Sequence, residues 1–393
     1  MSQSFDIVIV GAGVVGLTAA IAMQQRDFSV AVIDASSLPQ DTRLDRGSDN
    51  KSTNLRVYAV NQASQLLLQT LNVWPLVDPR DVSFYSHMHV WDAKNKAYID
   101  FDARMVGSDQ LGAIIEEAVI KNALIQKASA QGITFFPHSK VTQITTLDDG
   151  VTIHSDSSKW HARLLIVADG AASVTRELLG VPVTKWPYHQ HALVATVHTE
   201  KSHQHTAFQV FNHDGPLAFL PMVDSHQCSI VWSTTAAKTL ALIALPDLEF
   251  NQQLAEAFAG KLGACEVISP RQQFPLFMRH ATQYVGSRWL LMGDAAHTIH
   301  PLAGLGLNIG LADVSAWVKT LDNNRCSPWA KPVLGSYQRQ RKHAVWQNIV
   351  LMDSLKAIFA NPLPPIAALR GLGLTLCNNS TLLKRFFIEQ AAG

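Results

Sequence analysis

The first 34 residues contain the pattern that most restricts how this 393-residue chain folds. An apolar run over residues 5–10 leads into the glycine-rich segment 11–16 (GAGVVG). An alanine-rich segment and a second apolar run, residues 30–33, follow. A strand, a glycine turn, a helix and a second strand in this order predict a parallel βαβ unit, and hence an α/β fold.

The glycines of this segment stand where a dinucleotide-binding turn requires them. Gly11 permits the tight turn, Gly13 lets a pyrophosphate approach the helix N-terminus, and Gly16 lets the helix pack closely on the strand. Asp34 follows the second apolar run, where its carboxylate can bind an adenosine ribose hydroxyl. The pattern predicts a bound dinucleotide but does not distinguish NAD from FAD.

A second glycine-rich segment lies near the other end of the chain. The apolar run 290–292 ends in Gly293 and Asp294. A loop rich in proline and glycine follows over residues 300–306, and a helix is predicted to open at Leu307. The Asp294 carboxylate can accept hydrogen bonds from sugar-alcohol hydroxyls. The loop and the helix N-terminus present N–H groups that suit a phosphate or the N1–C2=O edge of a flavin.

A third motif lies in the middle of the chain. The apolar run 164–168 leads into a D-G-x-x-S-x-x-R pattern that begins at Asp169 and ends at Arg176, at the start of a predicted helix. An acid and a glycine at the end of a strand can bind ribose or contact a transient nicotinamide cofactor. The alternative interpretation is a plain strand–turn–helix connection with a capping aspartate.

Composition restricts the partners and the compartment. Lys and Arg number 32 and Asp and Glu 31, so the net charge of +1 gives no indication of nucleic-acid binding. Hydrophobic residues make up 47% and charged residues 16%, which indicates an apolar pocket, an interface or a membrane-facing patch. Outside the N-terminal fingerprint, no apolar run reaches the roughly 20 residues of a spanning helix. We therefore expect a soluble or peripheral protein.

Cysteine and histidine spacing gives no indication of a metal site. The 4 cysteines are far apart and form no C-x-x-C pair, which predicts reduced, buried thiols rather than disulfides. The 16 histidines form no H-E-x-x-H or comparable ligand pattern. We therefore predict that the chain binds no metal.

Taken in order, the three motifs resemble those of the single-component FAD-dependent aromatic hydroxylases, the group around p-hydroxybenzoate hydroxylase. Within that group, five segments are similar to the ubiquinone-biosynthesis branch of polyprenylphenol hydroxylases: 55–61 (LRVYAVN), 186–199, 217–221, 229–232 and 293–306. The resemblance spans nearly the whole chain. It implies a Rossmann-like FAD-binding domain with an inserted, mostly antiparallel β-sheet substrate domain and C-terminal helices.

The resemblance also implies domain limits. They are residues 1–75, 103–180 and 276–325 for the FAD-binding domain, 76–102 and 181–275 for the substrate domain, and 326–393 for a C-terminal helical region. The period-two runs within 181–275 and a hairpin over 84–102 support the sheet. Residues 112–130 are predicted to form an amphipathic helix.

The cofactor-binding residues follow from the matched motifs. The ADP half of FAD would contact Gly11, Gly13, Val14, Val15, Gly16 and Asp34, with the backbone of Val141 near the adenine. The rest of the FAD molecule would contact Arg56, Gln110, Asp294, Gly304, Gly306, Leu307 and Asn308. The central motif adds Asp169 to the predicted cofactor-binding residues. Leu305 replaces a glutamine of many relatives, a change that a loop acting through its backbone tolerates.

The reaction implied is hydroxylation of the aromatic ring of a polyprenylphenol-type intermediate in ubiquinone biosynthesis. FAD is the bound cofactor, and NAD(P)H and O2 are co-substrates that act through a C4a-hydroperoxyflavin. No acid or base residue is required, and Pro301, beside the flavin, is the one catalytic candidate. The residues predicted to form the substrate wall are Phe219, Leu220, Pro221, Trp232, His300 and Leu302.

Other readings of function and partners stay open at this point. The chain could be a flavin monooxygenase of another aromatic substrate, or a catalytically silent subunit of a quinone-biosynthesis complex. The substrate would be a hydrophobic phenolic small molecule, and a homo-oligomer or membership of such a complex is expected. The C-terminal helices, with the basic and apolar segment 384–387, would cover the core or form an interface, or else contact a membrane. The predicted location is the cytoplasm, with peripheral contact to the inner face of the membrane as an option.

Overall fold

The computed structural model of the chain describes residues 2–37, 56–95, 97–299, 305–361 and 363–393. The strands of these segments are β1 (Ser2–Val10), β2 (Val30–Ile33), β3 (Val57–Asn61), β4 (Val82–Tyr85), β5 (His87–Asp92), β6 (Tyr98–Asp102), β7 (Gly112–Glu116), β8 (Thr134–Phe136), β9 (Val141–Thr146), β10 (Val151–Ser155), β11 (Lys159–Val167), β12 (Val183–Thr199), β13 (Thr206–Asn212), β14 (Gly215–Pro221), β15 (Gln227–Thr235), β16 (Cys265–Val267), β17 (Gln272–Ala281), β18 (Val285–Gly286), β19 (Trp289–Leu291) and β20 (His297–Thr298). The helices are α1 (Val14–Gln24), α2 (Gln62–Thr70), α3 (Glu117–Ala130), α4 (Val174–Leu178), α5 (Ala236–Ala244), α6 (Asp247–Ala257), α7 (Leu305–Asp322), α8 (Lys331–Ala360), α9 (Pro364–Asn379) and α10 (Thr381–Ala392).

The first sheet is built around the predicted βαβ unit. Its strand order is β18-β19-β11-β1-β2-β8, and β1 pairs in parallel with both β2 and β11. Val10 of β1 lies beside Val167 of β11, which lies beside Leu291 of β19. Because the carboxyl ends of these parallel strands meet at one edge, all three sequence motifs come together there.

Helix α1 is buried between the parallel sheet and α7. Its residues from Val14 to Met23 are almost all buried, which fits its apolar sequence on every face. A Cβ placed on Gly310 of α7 would lie 2.7 Å from a γ-methyl carbon of Val15. A glycine at this position therefore lets α7 approach the first turn of α1.

The second sheet is mostly antiparallel, as predicted for the inserted region. Its strand order is β20-β17-β12-β15-β14-β13-β5-β6, with β13 and β5 pairing in parallel and the short β16 pairing with β12. One face packs on α5 and α6, where the Phe219 and Phe258 rings stack with centroids 3.7 Å apart. The opposite face turns toward the parallel sheet's motif-bearing edge.

A small third sheet corrects one expectation. Residues 112–116 form strand β7, which pairs with β3 and β4, and the helix predicted for 112–130 begins only at Glu117. Ala113, Ile114 and Ile115 are buried between neighbouring strands, and β-branched residues suit that position.

The C-terminal helices pack on the edge of the second sheet and on each other, with α9 against β6 and α10 against α9. Helix α9 begins at Pro364, where a proline's missing N–H costs nothing. A buried ion pair between Arg370 of α9 and Asp92, 2.6 Å long, ties α9 to β5, and the Asn61 side chain donates to the Ala391 carbonyl of α10. Within the described residues, no helix is long and apolar enough to cross a membrane. Of the 4 free cysteines, Cys326 is exposed, whereas the sequence predicted buried thiols.

Candidate active site

The glycine turn after β1 has the geometry that its sequence predicts. Gly11 has φ +111°, and a Cβ on it would lie 2.3 Å from the Ala168 carbonyl oxygen. A Cβ on Gly16 would lie 2.0 Å from the carbonyl oxygen of Gly11. Any side chain at these two positions would force β1, β11 and α1 apart.

Gly13 differs from its neighbours because it faces open space. It precedes the first residue of α1, and a Cβ on it would meet nothing within 4 Å. The Asp34 carboxylate accepts a hydrogen bond from the Ala12 N–H, and its other oxygen accepts from Ser36. A free space at the N-terminus of a long helix, beside bare backbone, is the arrangement that holds a pyrophosphate.

Asp294 lies at the same edge of the sheet, in the wall of a cavity. None of the described residues donates a hydrogen bond to its carboxylate, although Arg56, Arg279 and His297 act on it through their charge. Burial raises the pKa of this carboxyl above its ordinary value. A carboxylate withdrawn from water without donors fits hydroxyl groups of a bound ligand.

Arg56 and the start of α7 line the same cavity. The Arg56 guanidinium lies 5.2 Å from the centre of the Tyr58 ring, and its Nε lies 3.6 Å from a Glu117 carboxylate oxygen. Gly306 and Leu307 belong to the first turn of α7, where backbone N–H groups have no partner within the helix. The cavity thus has donors at this end.

Asn308 has a positioning role that the sequence did not indicate. Its side-chain amide donates to the Ala59 carbonyl over 2.7 Å, and its Oδ1 accepts from the Asn61 N–H over 3.0 Å. The side chain therefore pairs with the edge of β3 as a strand would. This contact fixes the N-terminus of α7 against the small sheet.

A buried charged cluster around Asp313 supports the Gly293–Asp294 turn. The Asp313 carboxylate is fully buried and accepts from the Gly293 N–H at 2.8 Å, from His297 Nε2 at 2.7 Å and from Arg341 Nε at 2.5 Å. Burial by itself raises the pKa of Asp313, but His297 and Arg341 outweigh it and the pKa lies below its ordinary value. Asp313 is therefore an anion that holds α7, α8 and the turn together.

Sequence reasoning did not single out Asp313. The available clue is that it is an acid with apolar neighbours, Ala312 and Val314, in the predicted helix after Leu307, and a buried acid needs partners. Its partner Arg341 is 28 positions away on another helix and follows no local spacing rule.

Beside this cluster, His280 predicts a pH dependence of stability. His280 is buried on β17 opposite His297, its Nε2 has no partner among the described residues, and burial lowers its pKa to about 4. An unfolded histidine takes up a proton near pH 6.5. Between pH 6.5 and 4 the unfolded chain thus binds more protons, so stability falls with falling pH.

We expect the free energy of unfolding to drop by about 2 kcal/mol through His280 between pH 7.5 and 5. Urea unfolding of the wild type and of His280→Leu at the two pH values measures this, because the variant should lose that part of the pH dependence. An equal change in the free energy of unfolding between the two pH values for both proteins would contradict the role of His280.

The D-G-x-x-S-x-x-R motif contains a helix-capping hydrogen bond and a carboxylate oxygen without a hydrogen-bond partner. Asp169 Oδ2 accepts from the Thr175 N–H, as a helix cap does, while its buried Oδ1 has no partner among the described residues. Arg176 is buried and donates to the carbonyls of Ala295 and Ala171. Arg176 therefore links this motif to the Gly293–Asp294 turn, and the role of Asp169 toward the cofactor stays a prediction.

Gln110 and Val141, like the glycine turn, Asp34 and Asp169, are predicted cofactor contacts that do not line this cavity. The Gln110 amide donates to Gln65 Oε1 at 3.0 Å, and its backbone carbonyl accepts from Gln62. Val141 is buried at the start of β9. Their roles toward the cofactor stay predictions. Gly304, His300, Pro301 and Leu302 lie outside the described residues.

The cavity has a volume of about 550 Å³ and lies between the antiparallel sheet, the small sheet, α7 and α10. On β14, alternate residues Pro216, Ala218 and Leu220 face it. Of the residues predicted for the substrate wall, Leu220 therefore lines this cavity, and its contact with a substrate stays a prediction.

Three of the other predicted wall residues need correction. Phe219 and Trp232 lie on the opposite face of the sheet, in the core with α5 and α6, and the buried Pro221 does not line the cavity either. The reason is the two-residue period of a strand, which sends successive side chains to opposite faces. On β15 the cavity is lined instead by Ser229, Val231 and Ser233.

These features fit FAD. The open space before α1, the Asp294 carboxylate and the first turn of α7 all lie at the carboxyl edge of the parallel sheet. They provide, in turn, room for a pyrophosphate, an acceptor for hydroxyls and donors for an electron-rich or anionic ring edge.

Comparison with known proteins leads to the same cofactor. The family model described as FAD binding domain matches residues 4–351. The chain is 34% identical to the 3-demethoxyubiquinol 3-hydroxylase of Escherichia coli, covering 100% of this chain and 99% of that protein. It is 31% identical to the ubiquinone hydroxylase UbiL of Rhodospirillum rubrum, covering 99% and 89%.

Solved structures agree at the level of the fold. The p-nitrophenol 4-monooxygenase PnpA of Pseudomonas putida superimposes with a TM-score of 0.79 and 17% identity, over 100% of this chain and 99% of that chain. The chain therefore belongs to the FAD-binding-domain family, as a flavin-dependent monooxygenase of the group that includes the ubiquinone-biosynthesis hydroxylases.

Proposed function

We propose that this protein hydroxylates the aromatic ring of a polyprenylphenol-type intermediate of ubiquinone biosynthesis, with FAD bound and with NAD(P)H and O2 as co-substrates. The observation that carries the proposal is the single cavity that joins the cofactor-facing residues to an apolar sheet face. Asp294, Arg56 and Gly306 line one part of it, and Ala218 and Leu220 line another.

The cavity wall suits a hydrophobic phenol. Apolar and small side chains predominate, and they leave space where a ring can lie flat against the sheet. One of the two similar hydroxylases is named for demethoxyubiquinol and the other for ubiquinone, which supports a ring with an isoprenoid tail. Met88, Phe101 and Phe387 provide further apolar wall that a tail can follow.

When bound, FAD supplies the redox chemistry, with NAD(P)H as reductant and O2 as the source of the new oxygen. The residues of the chain bind and shield it. Gly13 and α1 would hold the pyrophosphate, Asp294 would accept from hydroxyls of the linking chain, and the first turn of α7 would stabilise negative charge on the ring edge. The apolar sheet face excludes water from the reacting groups.

The test is turnover of a soluble probe by the purified, FAD-loaded protein. With NADPH or NADH, ¹⁸O2 and a hexyl-substituted 2-methoxyphenol, we expect a ring-hydroxylated product that contains one ¹⁸O atom. Nicotinamide oxidation that yields only hydrogen peroxide, or no oxidation at all, would contradict the proposal. The second outcome would favour a catalytically silent subunit.

We also propose that α10 contacts a lipid surface from which the substrate enters. Leu382 is 80% exposed and Phe386 54% exposed, while Phe387 and Ile388 on the same helix line the cavity. Exposed and cavity-lining apolar groups are thus continuous along one helix. Arg385 adds a basic group that suits anionic headgroups. A partner protein of a quinone-biosynthesis complex, or a second copy of the chain, is the competing occupant.

Replacing both Leu382 and Phe386 by serine should weaken vesicle binding about tenfold or more, because partial burial of two large side chains is lost. Flotation with phosphatidylglycerol-containing vesicles measures it, with Leu248→Ser, an exposed leucine on α6, as the matched control. Wild-type protein that does not float, or a variant that floats equally well, would remove the lipid contact. Loss of a dimer in light scattering would assign the face to a second copy instead.

A further inference from the structure

Gln209 is a buried amide that faces the substrate part of the cavity. It lies on β13 between Phe208 and Val210, which pack into the core on the other face of the sheet. Its side chain lines the cavity, and the residue is only 6% exposed. No described residue forms a hydrogen bond with its side-chain amide.

The surroundings of Gln209 leave space beside it. Across the sheet, Gln209 is opposite Ala218 of β14, which is opposite Val231 of β15. All three face the cavity, and adjacent strands are about 4.8 Å apart. A flat ring can therefore lie over Ala218 with its edge against the amide.

Ser229 is a second unpaired polar group in the same wall. It is 1% exposed, and its Oγ has no hydrogen-bond partner among the described residues. Ser229 lies on β15, the strand next to β14. Its register partner on β14 is Leu220, the next cavity-facing residue after Ala218. The sheet face thus carries two separate polar groups in an otherwise apolar area.

Unpaired buried polar groups are costly, and an amide offers two donors and an acceptor. A hydrocarbon occupant would leave both Gln209 and Ser229 unsatisfied. A ring with oxygen substituents would pair with them.

We infer that Gln209, assisted by Ser229, binds ring oxygen substituents of the aromatic substrate and so selects oxygenated rings and sets the orientation of the ring. This inference rests on the proposed function, since it concerns the substrate of that reaction. It makes Gln209 a specificity-determining residue that FAD binding does not involve.

The test combines two proteins with two ligands. The FAD-loaded wild type and Gln209→Leu are titrated by calorimetry with hexyl-substituted 2-methoxyphenol and with a hydrocarbon of the same shape, in which methyl and ethyl groups replace the oxygen substituents. Leucine has a side chain of similar size without the amide, so the fold should persist. The flavin content of each protein is measured alongside. Gln143→Leu, on the exposed face of β9, is the matched control.

We expect Gln209→Leu to bind the methoxyphenol more weakly relative to the hydrocarbon, so that the ratio of the two dissociation constants changes about tenfold. In Gln143→Leu the ratio should be unchanged. Ser229→Ala should shift the ratio in the same direction. If the wild type binds and hydroxylates the methoxyphenol but Gln209→Leu leaves the ratio unchanged, the inference is wrong and the proposed function stands. If the wild type with bound flavin binds neither ligand, both fail.

Discussion

Replacing Asp313 by alanine should lower the free energy of unfolding by about 3–5 kcal/mol, the cost typical of removing one partner from a buried ion pair. The variant leaves Arg341 buried without its anion and removes the acceptor of the Gly293 N–H. Because that N–H belongs to the turn that presents Asp294, flavin retention should fall with stability. Urea unfolding and the flavin-to-protein absorbance ratio measure the two effects.

The same helix provides a matched control. Asp322 lies at the end of α7, 56% exposed, and pairs with Arg26 at 2.9 Å. Exposed pairs contribute about 0–1 kcal/mol, so Asp322→Ala should change stability by no more than that. Similar losses for Asp313→Ala and Asp322→Ala would show that the Asp313 cluster does not hold α7, α8 and the turn together.

Gly13→Ala should weaken FAD binding by roughly 10- to 100-fold while leaving the fold of the flavin-free protein intact. A Cβ on Gly13 meets no protein atom within 4 Å, so the added methyl group costs the chain little. The space it fills is the space through which a pyrophosphate approaches the N-terminus of α1. Fluorescence titration of the flavin-free protein with FAD measures the change in Kd.

Gly373→Ala is the control for this prediction, because its Cβ on α9 also meets nothing within 4 Å but lies outside the motif-bearing edge. Its FAD affinity should equal that of the wild type. Unchanged affinity in Gly13→Ala would place the pyrophosphate elsewhere. A substantial loss of stability in that variant would instead indicate that Gly13 serves packing.

The geometry of the glycine turn and the position of Asp294 were predictable because they depend on local sequence. The turn at Gly11 and Gly16 follows from close backbone contacts within one βαβ unit. Asp294 follows from its position directly after a buried strand. Parallel strands then bring such ends together whatever the rest of the chain does.

The substrate half was not predictable to the same degree. Strand β14 (GPLAFLP) is apolar on both faces, because one face packs on α6 and the other lines the cavity. Without alternation of polar and apolar residues, nothing in the sequence tells that Leu220 faces the cavity and Phe219 the core. For the same reason the role of Gln209 was not predicted, because it depends on neighbouring residues on other strands.

Long-range polar contacts were the other part that sequence reasoning missed. Asn308 pairs with β3, almost 250 positions earlier in the chain (|i−j| 247 and 249), and Asp313 pairs with a different helix. Neither contact follows a spacing rule within one element. Yet both fix where the predicted motif residues finally lie.

A role in ubiquinone biosynthesis is tested by mass spectrometry of quinone intermediates in cells that lack this gene, complemented with the wild type or with Asp294→Ala. We expect a polyprenylphenol lacking one ring hydroxyl to accumulate, and only the wild type to clear it. An unchanged quinone profile, in cells with no second hydroxylase for that step, would contradict a role in ubiquinone biosynthesis.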